Sequence, residues 1–234
     1  MWSKTAFPAP LSGADARALD RICAEQLTLP VAWLMEAAGW QLARCCRGRG
    51  RVAVLCGGGG NGGDGLAAAR HLHAWGVLGQ VACSDQDRLE GAARAELEAL
   101  LRLGVEVESR PDLARADLVL DALLGTGLNR PPEGRIEEWI ELAGTSGLPV
   151  VAADIPSGLD SDSGAVPGAV LRADVTVALA LPKLGLRLGR GPELAGRVWV
   201  ADIGIPERAY ALAGLPAPGN VFAAADLIEW EPAG

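Results

Sequence analysis

A chain of 234 residues, half of them hydrophobic, is long enough for one well-filled core. Its formal net charge of −8, with no basic cluster beyond Arg44, Arg47, Arg49 and Arg51, argues against a nucleic-acid partner. No apolar run approaches a membrane-spanning length, and MWSKTAFPAPLSG at the N-terminus has neither a hydrophobic signal core nor an Arg-rich amphipathic pattern, so a cytoplasmic protein without membrane contact is expected.

Ser12 and Asp15 form a capping-box pattern, and Ala18, Leu19, Ile22, Cys23 and Leu27 then share one helical face until Pro30. A second helix is predicted from Val31, with Met35, Ala38, Gly39, Leu42 and Cys46 at helical spacing and glycines at 48 and 50 to end it. Residues 52–56 read as a buried parallel strand, residues 57–65 as a glycine-rich loop, and residues 66–75 as a helix stopped by Gly76. Glycines in such a loop let backbone N–H groups approach a ligand, and the helix N-terminus favours negative charge.

The spacing G-x-G-x-x-G occurs three times, from Gly57, Gly58 and Gly60, and Asp85 follows a second predicted strand at 78–83. That pattern suggests a dinucleotide-binding oxidoreductase, but seven glycines among nine residues satisfy almost any glycine motif. A nucleotide-like ligand is the first expectation, and tight strand-to-helix packing without a ligand is the plain alternative. Asp64, expected in the first helical turn, would repel a pyrophosphate there, so it is either a cap or faces a hydroxyl, amide or cation.

Beyond this unit the sequence predicts a helix at 86–103, strands at 105–108 and 117–121, a helix at 134–144, and strands at 149–154, 174–180 and 197–201. The alternation implies a parallel, doubly wound sheet in a single domain over residues 1–234. Residues 206–234, rich in Ala, Pro and Gly, read as a peripheral or linker-like tail. Cys23, Cys45, Cys46, Cys56 and Cys83 lack Cys-x-x-Cys spacing and are expected as reduced thiols without zinc.

Three buried strands lead to acids at one sheet edge: Asp64 after the glycine loop, Asp121 ahead of GTGLNRPP, and Asp154 ahead of IPSGLDSDSG. Any one of them alone is more often a turn former or a cap. Together they need hydrogen bonds, protons or a cation, and the Asn61 amide, the Ser157 hydroxyl and loop carbonyls offer neutral oxygens. One carboxylate among neutral oxygens favours potassium over magnesium or calcium. His71 and His73, two apart on a helix, cannot form a metal pair, and no Gly-x-Ser-x-Gly elbow or Gly-Lys-Ser/Thr loop occurs.

LMEAAG (34–39), VLCGGGGNGGDG (54–65), DALLGTGL (121–128), DIPSGLDSDSG (154–164), ADVTVALALPKLGL (173–186) and ADIGIP (201–206) resemble, in order, the motifs of NAD(P)H-hydrate epimerases. The resemblance implies a three-layer αβα sandwich with a Rossmann-like, mostly parallel sheet behind two N-terminal helices. It also implies a homodimer and interconversion of the R and S forms of hydrated NADH and NADPH. By the same resemblance Asn61, Asp121 and Ser157 are potassium ligands. The substrate loops are Gly60, Asn61, Gly62, Gly63 and Asp64, and Gly125, Thr126, Gly127, Leu128, Asn129, Arg130 and Pro131. Asp154 contacts the substrate as the catalytic residue.

The family loop usually reads Gly-Pro-Gly-Asn-Asn-Gly-Gly-Asp-Gly, so Gly58 stands for Pro and Gly60 for Asn, while Ala37 replaces a frequent Asn. No dehydratase domain follows the last motif, which implies a functional link to a separate NAD(P)H-hydrate dehydratase. The hydroxyl on C6 lies beside the ring nitrogen, so acid-assisted loss of water gives an iminium centre that water re-enters from either face. Asp154 is expected to move the proton, and Lys183 reads either as a phosphate contact or as a solvated surface lysine. Two alternatives remain open at this level: an NAD-dependent oxidoreductase using Asp85, and a nucleotide-binding module of the same fold without catalysis.

Overall fold

The computed structural model describes residues 9–230. Helices α1 (Gly13–Gln26) and α2 (Val31–Cys46) come first, where their apolar spacing predicts them. The capping box is reciprocal: the Asp15 amide donates to Ser12 Oγ at 3.1 Å, and the Ser12 amide donates to Asp15 Oδ2 at 3.0 Å. Strand β1 (Val52–Cys56) leads into α3 (Gly60–Ala74), β2 (Leu78–Cys83), α4 (Gly91–Arg102) and β3 (Val107–Glu108). Then follow β4 (Leu118–Ala122), α5 (Arg135–Thr145), β5 (Val150–Ala153), β6 (Val175–Leu179), α6 (Gly191–Leu194), β7 (Arg197–Ala201), α7 (Glu207–Ala213) and β8 (Leu227–Trp230).

Among the described residues the strands form one eight-stranded sheet, in the order β3-β2-β1-β4-β5-β6-β7-β8. All neighbours are parallel except β8, which runs antiparallel to β7. The chain moves outward from β1 to β2 and β3, then returns to set β4 on the other side of β1. Connections therefore diverge between β1 and β4, which opens a crevice at the carboxyl ends of those two strands.

Strand residues alternate between two helical layers. Val52, Val54 and Cys56 face α1 to α4 and α7, whereas Leu55 and Val119 pack with Trp139, Ile140 and Ala143 of α5. Burial on both faces leaves β1, β4 and β5 without an exposed residue, which is why they read as continuous apolar runs. The result is the expected three-layer αβα sandwich. At the α2 and α3 contact the backbones almost touch: a Cβ on Gly39 would lie 2.4 Å from the Ala67 Cβ.

Three expectations need correction. The helix expected at 66–75 begins at Gly60, so most of the glycine-rich stretch is helix, and Asp64 sits in its second turn. Close packing forces glycine there rather than a loop, since a Cβ on Gly62 would lie 1.8 Å from the Gly57 carbonyl oxygen. The helix expected from residue 86 begins at Gly91, because Gln86 turns its amide to the Val107 carbonyl at 2.8 Å. The supposed linker-like tail is structured as far as residue 230. Tyr210 of α7 joins the core cluster of Leu19, Ile22 and Cys23, and β8 closes the sheet edge with Ile228 and Trp230 buried. One of its glycines, Gly214, ends α7 at φ +69°.

Candidate functional site

The crevice at the switch point opens into a cavity of about 890 Å³, within the size range of small-molecule sites. Residues that follow β1, β2, β4, β5 and β6 line it; of the three strand-end acids Asp64 and Asp154 are among them, whereas Asp121 is buried outside the lining. Its roof comes from α1. Leu11 is stitched to the segment after β6, with its amide 2.7 Å from the Pro182 carbonyl and its own carbonyl 2.9 Å from the Leu184 amide. Arg17 of α1 also donates to the Thr126 carbonyl at 3.0 Å. These contacts bring Asp20 to the cavity, where its carboxyl is partly withdrawn from water although the residue keeps an exposed face.

Asp154 follows β5 in the left-handed region, at φ +67°, and Ala180 after β6 is left-handed too, at φ +65°. Such backbone is uncommon outside glycine and persists where surrounding contacts enforce it. The enforcing contacts are visible. Asp154 is 8% exposed, its amide donates to the Val177 carbonyl at 2.8 Å, and its Oδ1 accepts the Leu179 amide at 3.0 Å. The same Oδ1 accepts from Lys183 Nζ, whose other donors go to the carbonyls of Leu179 at 2.8 Å and Leu181 at 3.1 Å.

Lys183 is therefore neither a phosphate contact nor a solvated lysine. It is 2% exposed, and its charge compensates Asp154. A single Lys inside the apolar run ALALPKLGL was the available signal.

Asp121 lies fully buried in β4, paired in register with Leu55 of β1 and Ala152 of β5. Its Oδ2 accepts the Ser157 amide at 2.9 Å, and its Oδ1 accepts the Ser157 hydroxyl at 2.6 Å and the Leu123 amide at 3.2 Å. Burial pushes its pKa up to about 6, against the pull of those donors. Ser157 Oγ in turn accepts the Leu124 amide at 2.9 Å, tying the β4 and β5 loops together. Asn61, in the first turn of α3, meets this group from the side: a Cβ on Gly125 would lie 3.2 Å from the Asn61 Cβ.

Asn61 Nδ2 is buried without a hydrogen-bond partner. The two ends of an amide are assigned by their bonds, so an unpartnered end equally describes an oxygen directed at a cation.

Of the residues expected in the substrate loops, Gly60, Asn61, Asp64, Gly125, Thr126 and Gly127 line the cavity. Gly62 and Gly63 do not, because both are used in packing, Gly63 against Met35 and Ala93. Leu128, Asn129, Arg130 and Pro131 also lie outside the lining, Pro131 resting beside Gly168. At Gly60, where the family carries Asn, a Cβ would meet nothing within 4 Å, so the departure leaves open space. Ala37 is half-buried and absent from the lining, whereas Met35 and Ala38 of the same helix are present. Asp85 and Arg88 stand at the rim.

Asp64 is half-buried and has no hydrogen-bond or ion-pair partner among the described residues. Its pKa is raised well above the usual carboxylate range, first by burial and then by Asp154 and Asp20, against Lys183. Asp20 is shifted upward as well, by burial and by Asp154, with Lys183 opposing. Sequence reasoning missed Asp20, since an acid beside Leu19 on an amphipathic helix reads as ordinary surface.

Lys183→Met should leave the Asp154 carboxylate buried without its counter-charge, at a cost of about 3–5 kcal/mol. Adding Asp154→Asn to that variant should recover much of the loss, measured by urea unfolding as a double-mutant cycle. Additive losses would show that the pair does not act as one unit.

Residues 31–185 match the family model described as YjeF-related protein N-terminus. An NAD(P)H-hydrate epimerase of Dehalogenimonas lykanthroporepellens is 37% identical, over 94% of this chain and 91% of that protein. One from Limosilactobacillus fermentum is 36% identical, over 82% of this chain and 95% of its own. The bifunctional NAD(P)H-hydrate repair enzyme Nnr of Escherichia coli is 36% identical over 92% of this chain, which spans 43% of that longer protein. The crystal structure of the yeast protein YNL200c, 23% identical, superposes with a TM-score of 0.78 over 94% of this chain and 99% of that one, which establishes the shared fold. With six motifs in order, a matching domain model and epimerases aligned over nearly their whole length, the chain belongs to the NAD(P)H-hydrate epimerase family.

Proposed function

We propose that this protein is an isomerase that interconverts the R and S epimers of hydrated NADH and NADPH. The observation that carries the reading is the cavity at the β1–β4 switch point, where Asp64, Asp154 and Lys183 converge in a chain related to epimerases over its length. No net redox change accompanies epimerisation at C6, so acid and base groups suffice. Asp154, fixed by Lys183 and the Leu179 amide, presents a carboxylate to the ring that becomes cationic when the hydroxyl leaves.

Each epimer, purified and incubated with the protein, should yield the other faster than it does spontaneously, as followed by chromatography that resolves the two. Asp154→Asn keeps the turn-forming shape but removes the charge. It should bind the substrate and lose about 10²- to 10⁴-fold in turnover. Near wild-type turnover in that variant would remove Asp154 from the chemistry.

Potassium is part of the same proposal. Asp121, Ser157, Asn61 and the Leu124 carbonyl form a donor set of one carboxylate and neutral oxygens, and the unpartnered Asn61 amide end fits an ion there. Such an ion would tie the β4 and β5 loops to the start of α3; its charge would also offset the burial of Asp121.

The pH dependence follows in sign. With the Asp121 pKa raised to about 6 above its ordinary 3.8, stability in a bulky organic cation should be full below the lower value and decline as pH rises through about 6. Potassium at equal ionic strength should raise the melting temperature above pH 6 in the wild type and not in Asp121→Ala. Equal responses in the two proteins would remove this site.

The reading extends to a cytoplasmic homodimer acting beside a dehydratase. Five free cysteines among the described residues suit a reducing compartment, and the repair enzymes named bifunctional carry a second activity in one chain. Trp33 and Trp40, exposed on α2, supply an apolar face for a second copy. Velocity sedimentation should give a dimer, and a monomer at micromolar protein would remove that part.

A further inference from the structure

Asp64 and Asp154 face one cavity in opposite electrostatic circumstances. Asp154 has a buried ammonium and a backbone amide on its Oδ1. Asp64, on the second turn of α3, has neither, and the groups nearest to it in effect are two other carboxylates. A carboxyl withdrawn from water with no donor or counter-charge of its own takes up a proton more readily than a solvated one. Environments that separate two acids in this way divide acid from base within a site.

The surrounding charges come from several elements, Glu133 and Arg135 ahead of and at the start of α5 among them. Asp20 faces Asp64 from α1, and Arg17 on the same helix is engaged with the Thr126 carbonyl. Cys56 at the end of β1 lies beneath it, its own thiol pushed upward by burial. Asp121 on β4 is occupied by Ser157, and Asp154 and Lys183 follow β5 and β6. Asp85 and Arg88 stand at the rim, where the Arg88 amide donates to Asp85 Oδ1 at 3.3 Å. Two turns along α3, Arg70 and His71 are paired with Glu36 and Glu96 of the neighbouring helices.

We propose that Asp64 is the proton donor at the reacting carbon, and that Asp154 with Lys183 is the charged partner that stabilises the cationic ring. The assignment rests on the epimerase reading above.

The step balances. Asp64 gives its proton to the C6 hydroxyl, the C6–O bond breaks with its electron pair on the departing water, and the nitrogen lone pair forms the C=N bond. In return a water oxygen bonds C6 from either face, the C=N pair goes back to nitrogen, and the water's proton passes to the Asp64 carboxylate. No oxidant or reductant is needed. Asp20 is a positioning residue in this scheme, its charge helping to hold the proton on Asp64.

The test combines turnover with a readout that needs none. Wild-type turnover should follow the protonated fraction of Asp64, falling as pH rises through its raised pKa. Asp64→Asn, of the same size, should lose about 10²- to 10⁴-fold with little change in KM and should lack that alkaline decline. Asp20→Asn, which removes a neighbouring negative charge, should move the decline to lower pH. By infrared spectroscopy, the resting wild type should carry a protonated-carboxyl band that Asp64→Asn lacks, and that band should disappear at lower pH in Asp20→Asn than in the wild type.

Wild-type turnover with an unchanged alkaline decline in Asp64→Asn would overturn the proposal. A protonated-carboxyl band that persists unchanged in Asp64→Asn would do the same. An inactive wild type would sink the epimerase reading itself, while the infrared band would still report whether Asp64 holds the proton.

Discussion

A carboxyl group taken out of water must receive a counter-charge, a set of hydrogen-bond donors or a proton, and the site depends on how three acids meet that demand. Asp154 receives the counter-charge from Lys183. Asp121 receives donors, two from Ser157 and one from Leu123. Asp64 receives neither, and its pKa rises accordingly. Identical side chains at one sheet edge thereby acquire different chemistry, because the low dielectric of the interior amplifies each neighbour's effect.

Topology brings those acids together. Only where the strand order reverses do adjacent loops diverge enough to leave a cavity, and β1 and β4 meet that condition. The Ser157 hydroxyl and amide then bind β5's loop to β4, so two of the three acid-bearing segments are tied together. Closure from above falls to α1. Its attachment through Leu11 to the Lys183 segment, and through Arg17 to the Thr126 carbonyl, couples the roof to both loop systems.

Glycine does two jobs in the central unit. Gly62, Gly63 and Gly65 exist for contact, since a Cβ at Gly65 would lie 2.6 Å from that of Ala122 and would push α3 off the sheet. Gly59 and Gly60 have open space around them and border the cavity. The plain packing reading is therefore correct for Gly62, Gly63 and Gly65, whereas Gly59 and Gly60 are left facing the cavity. Strain is placed elsewhere, at Asp154 and Ala180, where two successive parallel strands end in left-handed residues that turn their loops toward the cavity.

The sequence by itself determined the layers and the edge. The short, largely apolar segments at residues 52–56, 117–121 and 149–154 pointed to strands covered on both faces, and the acids at or after their ends to the carboxyl edge of a parallel sheet. The ordered motifs determined the family. Tertiary structure alone decided that the glycine stretch is helical from Gly60, because only the positions of Gly57, Met35 and Ala122 explain why side chains are excluded. Residues 206–230 likewise became part of the sheet and core only through long-range partners, β7 for β8 and α1 for Tyr210. The part played by Asp20 was illegible for the same reason, and for Lys183 the sequence showed a lone charge in an apolar run but not its partner. Their roles come from acids more than twenty residues away along the chain, and a side chain's charge environment is a property of what folding brings beside it, not of its neighbours in sequence.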